Sequence, residues 1–232
     1  MLGLGAGICA NTYPGGWLPS DESTLEAWYR YNTGITLNGG NVSQWADSSS
    51  NSFHMAQSDT GEQPSYNDDN GVITFDPATD TENLQSSSSI ELDGEFIVGF
   101  VIDPVIHNVI VIGSNSVPNE FVKLQTASLF RVKNDSSGNI DYTLETGHDT
   151  KDAAYWVLLR DSSNDLYVYK DGLLQDSAKS VAGTFDIDAI GVRRTDQNAY
   201  KGTVREVVIF KDTSDTKLRD RILDRLRTIN NI

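Results

Sequence analysis

Cysteine is almost absent from this sequence. Cys9 is the only one in 232 residues, so no intrachain disulfide can form and no cysteine-built zinc cage is available. Histidine is nearly as scarce. His54, His107 and His148 lie far apart, and none has a second His or Cys at ligand spacing, which assigns them polar or partly buried structural roles rather than metal binding. No apolar run approaches the roughly 20 residues that cross a bilayer, so nothing in the pattern calls for a membrane partner. Basic residues are outnumbered: 18 Lys and Arg face 33 Asp and Glu, for a formal charge of −15. That excess repels phosphate backbones and anionic membrane faces and argues against nucleic acid as a partner. No G-x-S-x-G elbow is present either, which removes support for a serine hydrolase.

What remains is a chain with enough apolar material to fold by packing alone. Hydrophobic residues make up 38% of it, and all-β domains of roughly 200 to 250 residues commonly form one unit. The segment 1–20 stands apart, with five glycines, two prolines and little periodicity, and reads as a glycine-rich arm that is retained rather than cleaved as a signal peptide. Leu2, Leu4, Ile8, Tyr13 and Trp17 give it an apolar character that must pack against the domain or dock on a partner. Its Gly3, Gly5 and Gly7 follow no strand and open no βαβ unit, so they do not mark a dinucleotide site.

From Leu25 onward short β-type runs alternate with turn clusters, the pattern of an antiparallel sandwich. The clearest runs are VITF (72–75), EFIVGFVI (95–102), VIHNVIVI (105–112), AAYWVLLR (153–160), DLYVYK (165–170) and TVREVVIF (203–210). Asp171-Gly172, Asp93-Gly94 and Asn70-Gly71 supply turn chemistry, because these pairs readily take the positive φ of a tight turn. DSSSNS (47–52), SSSS (86–89), NDSSGN (134–139) and DSSND (161–165) read as loops. One amphipathic helix is predicted over 215–229, with Leu218, Ile222, Leu226 and Ile229 on one face and Ser214 as N-cap. Its arginines interleave with Asp215, Asp220 and Asp224, as on a lid over a sheet rather than a nucleic-acid surface.

The ordered succession LEAWYRY (25–31), NVSQWADSS (41–49), QPSY (63–66), VITFD (72–76), SIELDGEFIVGFVI (89–102), YWVLLRDSSNDLYVYKDG (155–172) and YKGTVREVVIFKD (200–212) resembles concanavalin A-like, laminin G-like jelly-roll domains over about nine-tenths of the chain. The resemblance implies an all-β fold: an antiparallel two-sheet jelly-roll sandwich over 21–232 with one C-terminal amphipathic helix. Such domains resemble those of marine and cyanobacterial phage virion proteins and of bacterial surface proteins. The expectation that follows is a non-enzymatic virion structural protein, a capsid decoration or tail appendage. Its partners would be other virion proteins or copies of itself, and its location the virion. The alternative is a glycan-binding module at a host, extracellular or cell surface, contacting sugar through rim loops such as 47–52 and 134–139.

ELDGEF (91–96) poses the enzymatic question, since its acids at alternate positions resemble the catalytic strand of family 16 glycoside hydrolases. Along a regular strand the outer two Cα atoms, of Glu91 and Glu95, would lie about 13 Å apart. A retaining glycosidase needs carboxyl groups about 5 to 5.5 Å apart. Asp93-Gly94 breaks the row, and the apolar run starts only at Glu95 or Phe96, so Glu91, Asp93 and Glu95 are expected to flank a turn, with catalysis the minority reading. Trp28, Trp45 and Trp156 sit in apolar contexts that predict core packing rather than sugar binding. No cofactor is required, but relatives of the fold hold calcium at loop rims, where Asp47, Asp68 and Asp69 are the weak candidates here. Asp161, Ser163 and Asp165 imitate the start of an EF-hand loop, but Leu166 replaces its glycine and Gly172 its bidentate glutamate, so a polar hairpin is expected.

Overall fold

The computed structural model describes residues 16–116, 120–192 and 198–231. Leu2, Leu4, Ile8 and Tyr13 lie outside that range. Among the described residues seventeen strands follow one short 3-10 turn, Pro19–Asp21. The first seven are β1 (Leu25–Tyr29), β2 (Ile35–Asn38), β3 (Asn41–Trp45), β4 (Met55–Ala56), β5 (Ser65–Asn67), β6 (Val72–Phe75) and β7 (Leu84–Leu92). The middle of the chain supplies β8 (Phe96–Pro104), β9 (Val109–Gly113), β10 (Phe121–Thr126), β11 (Leu129–Lys133) and β12 (Ile140–Thr143). Then come β13 (Ala154–Arg160), β14 (Asp165–Lys170), β15 (Leu173–Ser180), β16 (Phe185–Ile190) and β17 (Gly202–Lys211), and helix α1 (Thr216–Asn230).

All the pairings are antiparallel, and they divide into two layers. One runs β17-β8-β13-β14-β15, with β1 and β6 sharing the outer edge of β17. The other runs β4-β7-β16-β9-β10-β11-β12. β3, paired with β2, β4 and β5, links the layers through β5 to β6. The structure is thus the antiparallel two-layer sandwich with a closing helix that the sequence pattern predicted.

Between the layers lies the main core, where Phe130 of β11 stacks on Trp156 of β13 at 4.6 Å between ring centroids. Trp45 and Trp156 are in this core and Trp28 in a second one, all three buried. That second core lies on the outer face of the first layer, beneath α1. Phe96, Val98, Phe100 and Ile102 point between the layers, while Ile97 and Val101 meet Leu218, Ile222, Leu226 and Ile229 of the helix. A strand covered on both faces needs no polar alternation, which is why β8 and β13 read as continuous apolar runs. Gly99 makes the helix contact possible: a Cβ there would sit 2.8 Å from Leu226 Cδ1 and 3.0 Å from Ile222 Cγ2.

A bulge at Arg205 shifts the register of β17 against β8, so Val204 faces the main core but Glu206, two residues on, faces the helix. There the buried Glu206 carboxylate takes both Nε and Nη2 of Arg225, the latter at 2.9 Å, together with the Trp28 indole N–H at 3.0 Å. A buried pair of this kind is satisfied only with its hydrogen bonds complete, so it fixes where α1 lies on the sheet.

Four local expectations change. The N-cap of α1 is Asp215, whose carboxylate accepts from the Lys217 amide, while Ser214 instead donates to Glu95. The serine quartet 86–89 belongs to β7: between Gln85↔Ala189 and Ile90↔Ile187 four residues of β7 oppose Asp188 alone, and the excess bulges outward. VIHNVIVI is strand only from Val109, because the chain crosses between layers at 105–108. Asp93-Gly94 takes no positive φ and closes no hairpin; it forms the corner from β7 in one layer to β8 in the other. Asp171-Gly172, by contrast, forms the expected two-residue hairpin with φ of 52° and 83°.

Candidate functional site

The corner 92–95 is held from inside the protein. Arg160, fully buried, donates Nη2 to Leu92 O at 2.8 Å and Nε to Gly94 O at 2.6 Å, with Nη1 on Gly183 O at 2.6 Å. The three acids around it point to three different places. Glu91 is exposed on β7 opposite Asp186, Asp93 pairs with Lys211 Nζ at 3.3 Å, and Glu95 accepts from Ser214 beside the helix. The Lys211 ammonium holds the Asp93 carboxyl below its usual range.

Asp47, a rim candidate for calcium, is buried and already accepts from four donors: the amides of Trp28, Ser49 and Phe53 and the Ser49 hydroxyl, at 2.6 to 3.1 Å. It organises loop 47–52. Asp68 and Asp69 are exposed on the β5–β6 turn. Asp161 accepts from the amides of Ser163 and Asp165 at 2.8 and 3.0 Å, the polar hairpin expected of 161–165. Loop 134–139 is likewise tied inward, through Asn134 Nδ2 to Ala182 O at 2.6 Å and the Thr184 amide to Asp135 at 2.8 Å. Trp17, the one of the five apolar arm candidates that lies among the described residues, packs against α1 with Arg221 over its ring at 5.1 Å and its indole N–H on Glu22 at 2.7 Å.

A different place presents groups to solvent. At the Pro104 end of β8 the chain turns through 105–108, and the segment 198–201 runs alongside before β17 begins. Backbone bonds join the two, Val105 N to Lys201 O at 3.0 Å and Ile110 N to Asn198 O at 2.8 Å. They approach so closely because Gly202, at φ 135°, has no Cβ: one would sit 2.2 Å from Asp103 O. Asn108 and Asn198 both take left-handed backbone, at φ 64° and 59°, conformations that asparagine tolerates better than most residues.

The result is a cleft of about 470 Å³ lined by Asp80, Ile106, His107, Asn108, Asn198 and Lys201, among others. Asn108 Nδ2 donates to Asn198 Oδ1 at 2.7 Å, which ties the two side chains together. His107 Nε2 lies 2.6 Å from Asp149 Oδ1, and Lys201 Nζ is 2.7 Å from Asp80 Oδ1. Burial pulls the Asp149 carboxyl upward, but the Lys151 amide and His107 outweigh it and hold the group below its usual value. Val105 and Ile106, 47% and 41% exposed, add an apolar shoulder. The cleft thus combines neutral amide donors and acceptors, the Lys201–Asp80 and His107–Asp149 contacts and accessible apolar surface. Sequence reading missed it because its residues come from segments about 90 positions apart; the legible hint was Asn108, a turn residue inside an otherwise apolar run.

No protein-family model matches the chain, and no curated protein matches it. Solved structures do. The chain is similar to domain 4 of AbnA, a GH43 extracellular arabinanase from Geobacillus stearothermophilus, in complex with arabinotriose, with a TM-score of 0.55 and 16% identity over 88% of this chain and 98% of that one. It is also similar to the binding domain of Paraclostridial Mosquitocidal Protein 1, with a TM-score of 0.54 and 12% identity over 91% and 53%. A third likeness is to the binding domain of Botulinum Neurotoxin DC in complex with SialylT, at 0.55 and 10% over 88% and 52%. This chain spans about half the length of those two toxin domains. At these identities the shared property is the fold, an antiparallel β-sandwich. Among the described residues no helix is long and apolar enough to cross a membrane.

Proposed function

We propose that this protein is a glycan-binding module whose cleft between 105–108 and 198–201 takes a neutral oligosaccharide. One observation carries the reading: two asparagine side chains, bonded to each other and carried on left-handed backbone, line an open cleft beside exposed Val105 and Ile106. Sugar hydroxyls need donors and acceptors at fixed positions, and the C–H faces of a sugar need apolar surface. The likeness to an arabinanase domain bound to arabinotriose, over nearly all of that domain, supports the same reading. The separate partners of Glu91, Asp93 and Glu95 support binding without cleavage.

Asn108→Gly and Asn198→Gly test it, because glycine keeps the backbone conformation and removes only the amide. Isothermal titration with arabinotriose, in calcium and in chelator, is expected to show at least tenfold weaker binding for the double variant, about 1.4 kcal/mol, at an unchanged melting midpoint. Wild-type affinity in that variant removes the cleft from the account. The narrower setting, a virion appendage, is supported by the resemblance in sequence to phage domains, and mass spectrometry of purified particles checks it.

A further inference from the structure

At the opposite end of β8, about 27 Å away along a nine-residue strand, a second recess opens between β14 and the first turn of α1. It holds about 380 Å³ and is lined by Leu159, Asp161, Tyr167, Tyr169, Thr216 and Arg219, with Ser214 at its edge. Leu166 and Val168 point into the main core, so Tyr167 and Tyr169 must point outward, side by side. Their surroundings differ. Arg219 covers Tyr169, with its guanidinium carbon 5.1 Å from the ring centroid and Nη1 donating to the hydroxyl at 3.0 Å. Tyr167 is half-buried, and among the described residues neither a second ring nor a cation stacks on it. Its hydroxyl donates to Asp161 Oδ2 at 3.3 Å, while Asp161 Oδ1 is fixed by the amides of Ser163 and Asp165.

We propose that this recess is a second sugar-binding site, in which Tyr167 is the stacking platform and Asp161, Thr216 and Arg219 bind hydroxyls at its rim. An aromatic face with a polar rim matches a sugar ring, whose C–H face is apolar and whose edge is hydroxylated. The local charge selects the kind of sugar. Arg219 is already bonded twice by Asp220, at 2.9 and 2.7 Å, and Asp161 leaves the recess net negative on a chain of charge −15. Uronic and sialic acids, nucleotides and phosphopeptides are therefore repelled, and a neutral sugar is the ligand. The inference rests on the carbohydrate-binding reading but not on the cleft near Pro104. With sites at both ends of the sandwich, one molecule can bridge two glycan chains, or hold one long chain with the gain that linked binding brings.

Nuclear magnetic resonance of the full chain separates the two sites. Arabinotriose or maltotriose in millimolar excess is expected to shift amides of 159–169 and 214–219 as one set, distinct from those of 105–109 and 198–201. Tyr167→Ala weakens the first set's binding at least tenfold and leaves the second set unchanged. Thr216→Trp, on the exposed helix surface, fills the recess with the sheet untouched and has the same effect. The proposal is overturned if the first set does not move, if it moves equally in both variants, or if trigalacturonic acid moves it more strongly than the neutral probes. Shifts in the first set alone would uphold the recess and remove the cleft; shifts in the second set alone would do the reverse.

Discussion

Glu120 stands at the head of β10 with 1% of its surface exposed, and its carboxylate accepts from the Asp186 amide in the company of Asp186, Asp188 and Asp135. Burial, with those neighbouring carboxylates, pushes it up to about 7. Among the described residues Asp186 Oδ1 is buried there with no donor, and Asp188 takes the amides of Asn115 and Ser116 and the Ser89 hydroxyl. Because the folded protein holds the Glu120 proton more tightly than the unfolded chain, with its ordinary value near 4.5, this group's stabilisation is complete below that value. It is lost as pH rises through about 7. The melting midpoint is therefore expected to fall between pH 5 and 7.5, and Glu120→Gln, which keeps an acceptor for the Asp186 amide, should flatten that fall and raise the midpoint at pH 7.5 by a few degrees. An unchanged slope in the variant would show that the carboxylates are solvated in solution. None of this was legible in the sequence, where Glu120 follows an unremarkable Pro-Asn and meets Asp186 only through pairing of distant strands. Arg160 is a similar case: it reads as the polar end of a strand, yet its buried guanidinium makes the corner that ELDGEF announces.

At the scale of elements the sequence said more. DLYVYKDG displayed both its alternation and its hairpin, and the apolar face of α1 was readable from Leu218, Ile222, Leu226 and Ile229, since local periodicity and turn chemistry are properties of short segments. The apolar runs around β8 and β13 were recognisable as strands. Their lack of alternation acquires its meaning only with the helix in place, which buries their second face. Bulges were not readable: the four serines of β7 and the extra Arg205 of β17 follow from what the partner strand offers, not from their own composition. The contact between Gly99 and α1 gives this layer its test. Gly99→Val puts branched carbon where Leu226 and Ile222 already lie within 3.0 Å, and is expected to cost about 1 to 3 kcal/mol in denaturant unfolding, with helix α1 displaced and its amides exchanging faster. Exchange in α1 as slow as in the wild type would mean that the helix does not depend on that close approach.

For the molecule as a whole, fold and function were unequally legible. A sandwich with a C-terminal helix could be read from ordered local signals, whereas in the loops singled out as sugar-contacting rims, 47–52 and 134–139, the side chains of Asp47, Ser49, Asn51, Asn134 and Asp135 make internal bonds. The candidate cleft and the tyrosine recess instead lie at the two ends of β8, assembled from segments that folding alone brings together. On the reading proposed above, an acidic sandwich with polar recesses and dispersed carboxylates holds a neutral glycan and releases it intact. Incubation of the purified protein with insoluble arabinan, followed by assay of both bound protein and soluble reducing ends, tests that claim most directly. The account predicts that protein is retained on the polysaccharide, competed off by arabinotriose, with no reducing ends above the blank. Failure to be retained, or a steady release of reducing ends that Glu91→Gln abolishes, would contradict it.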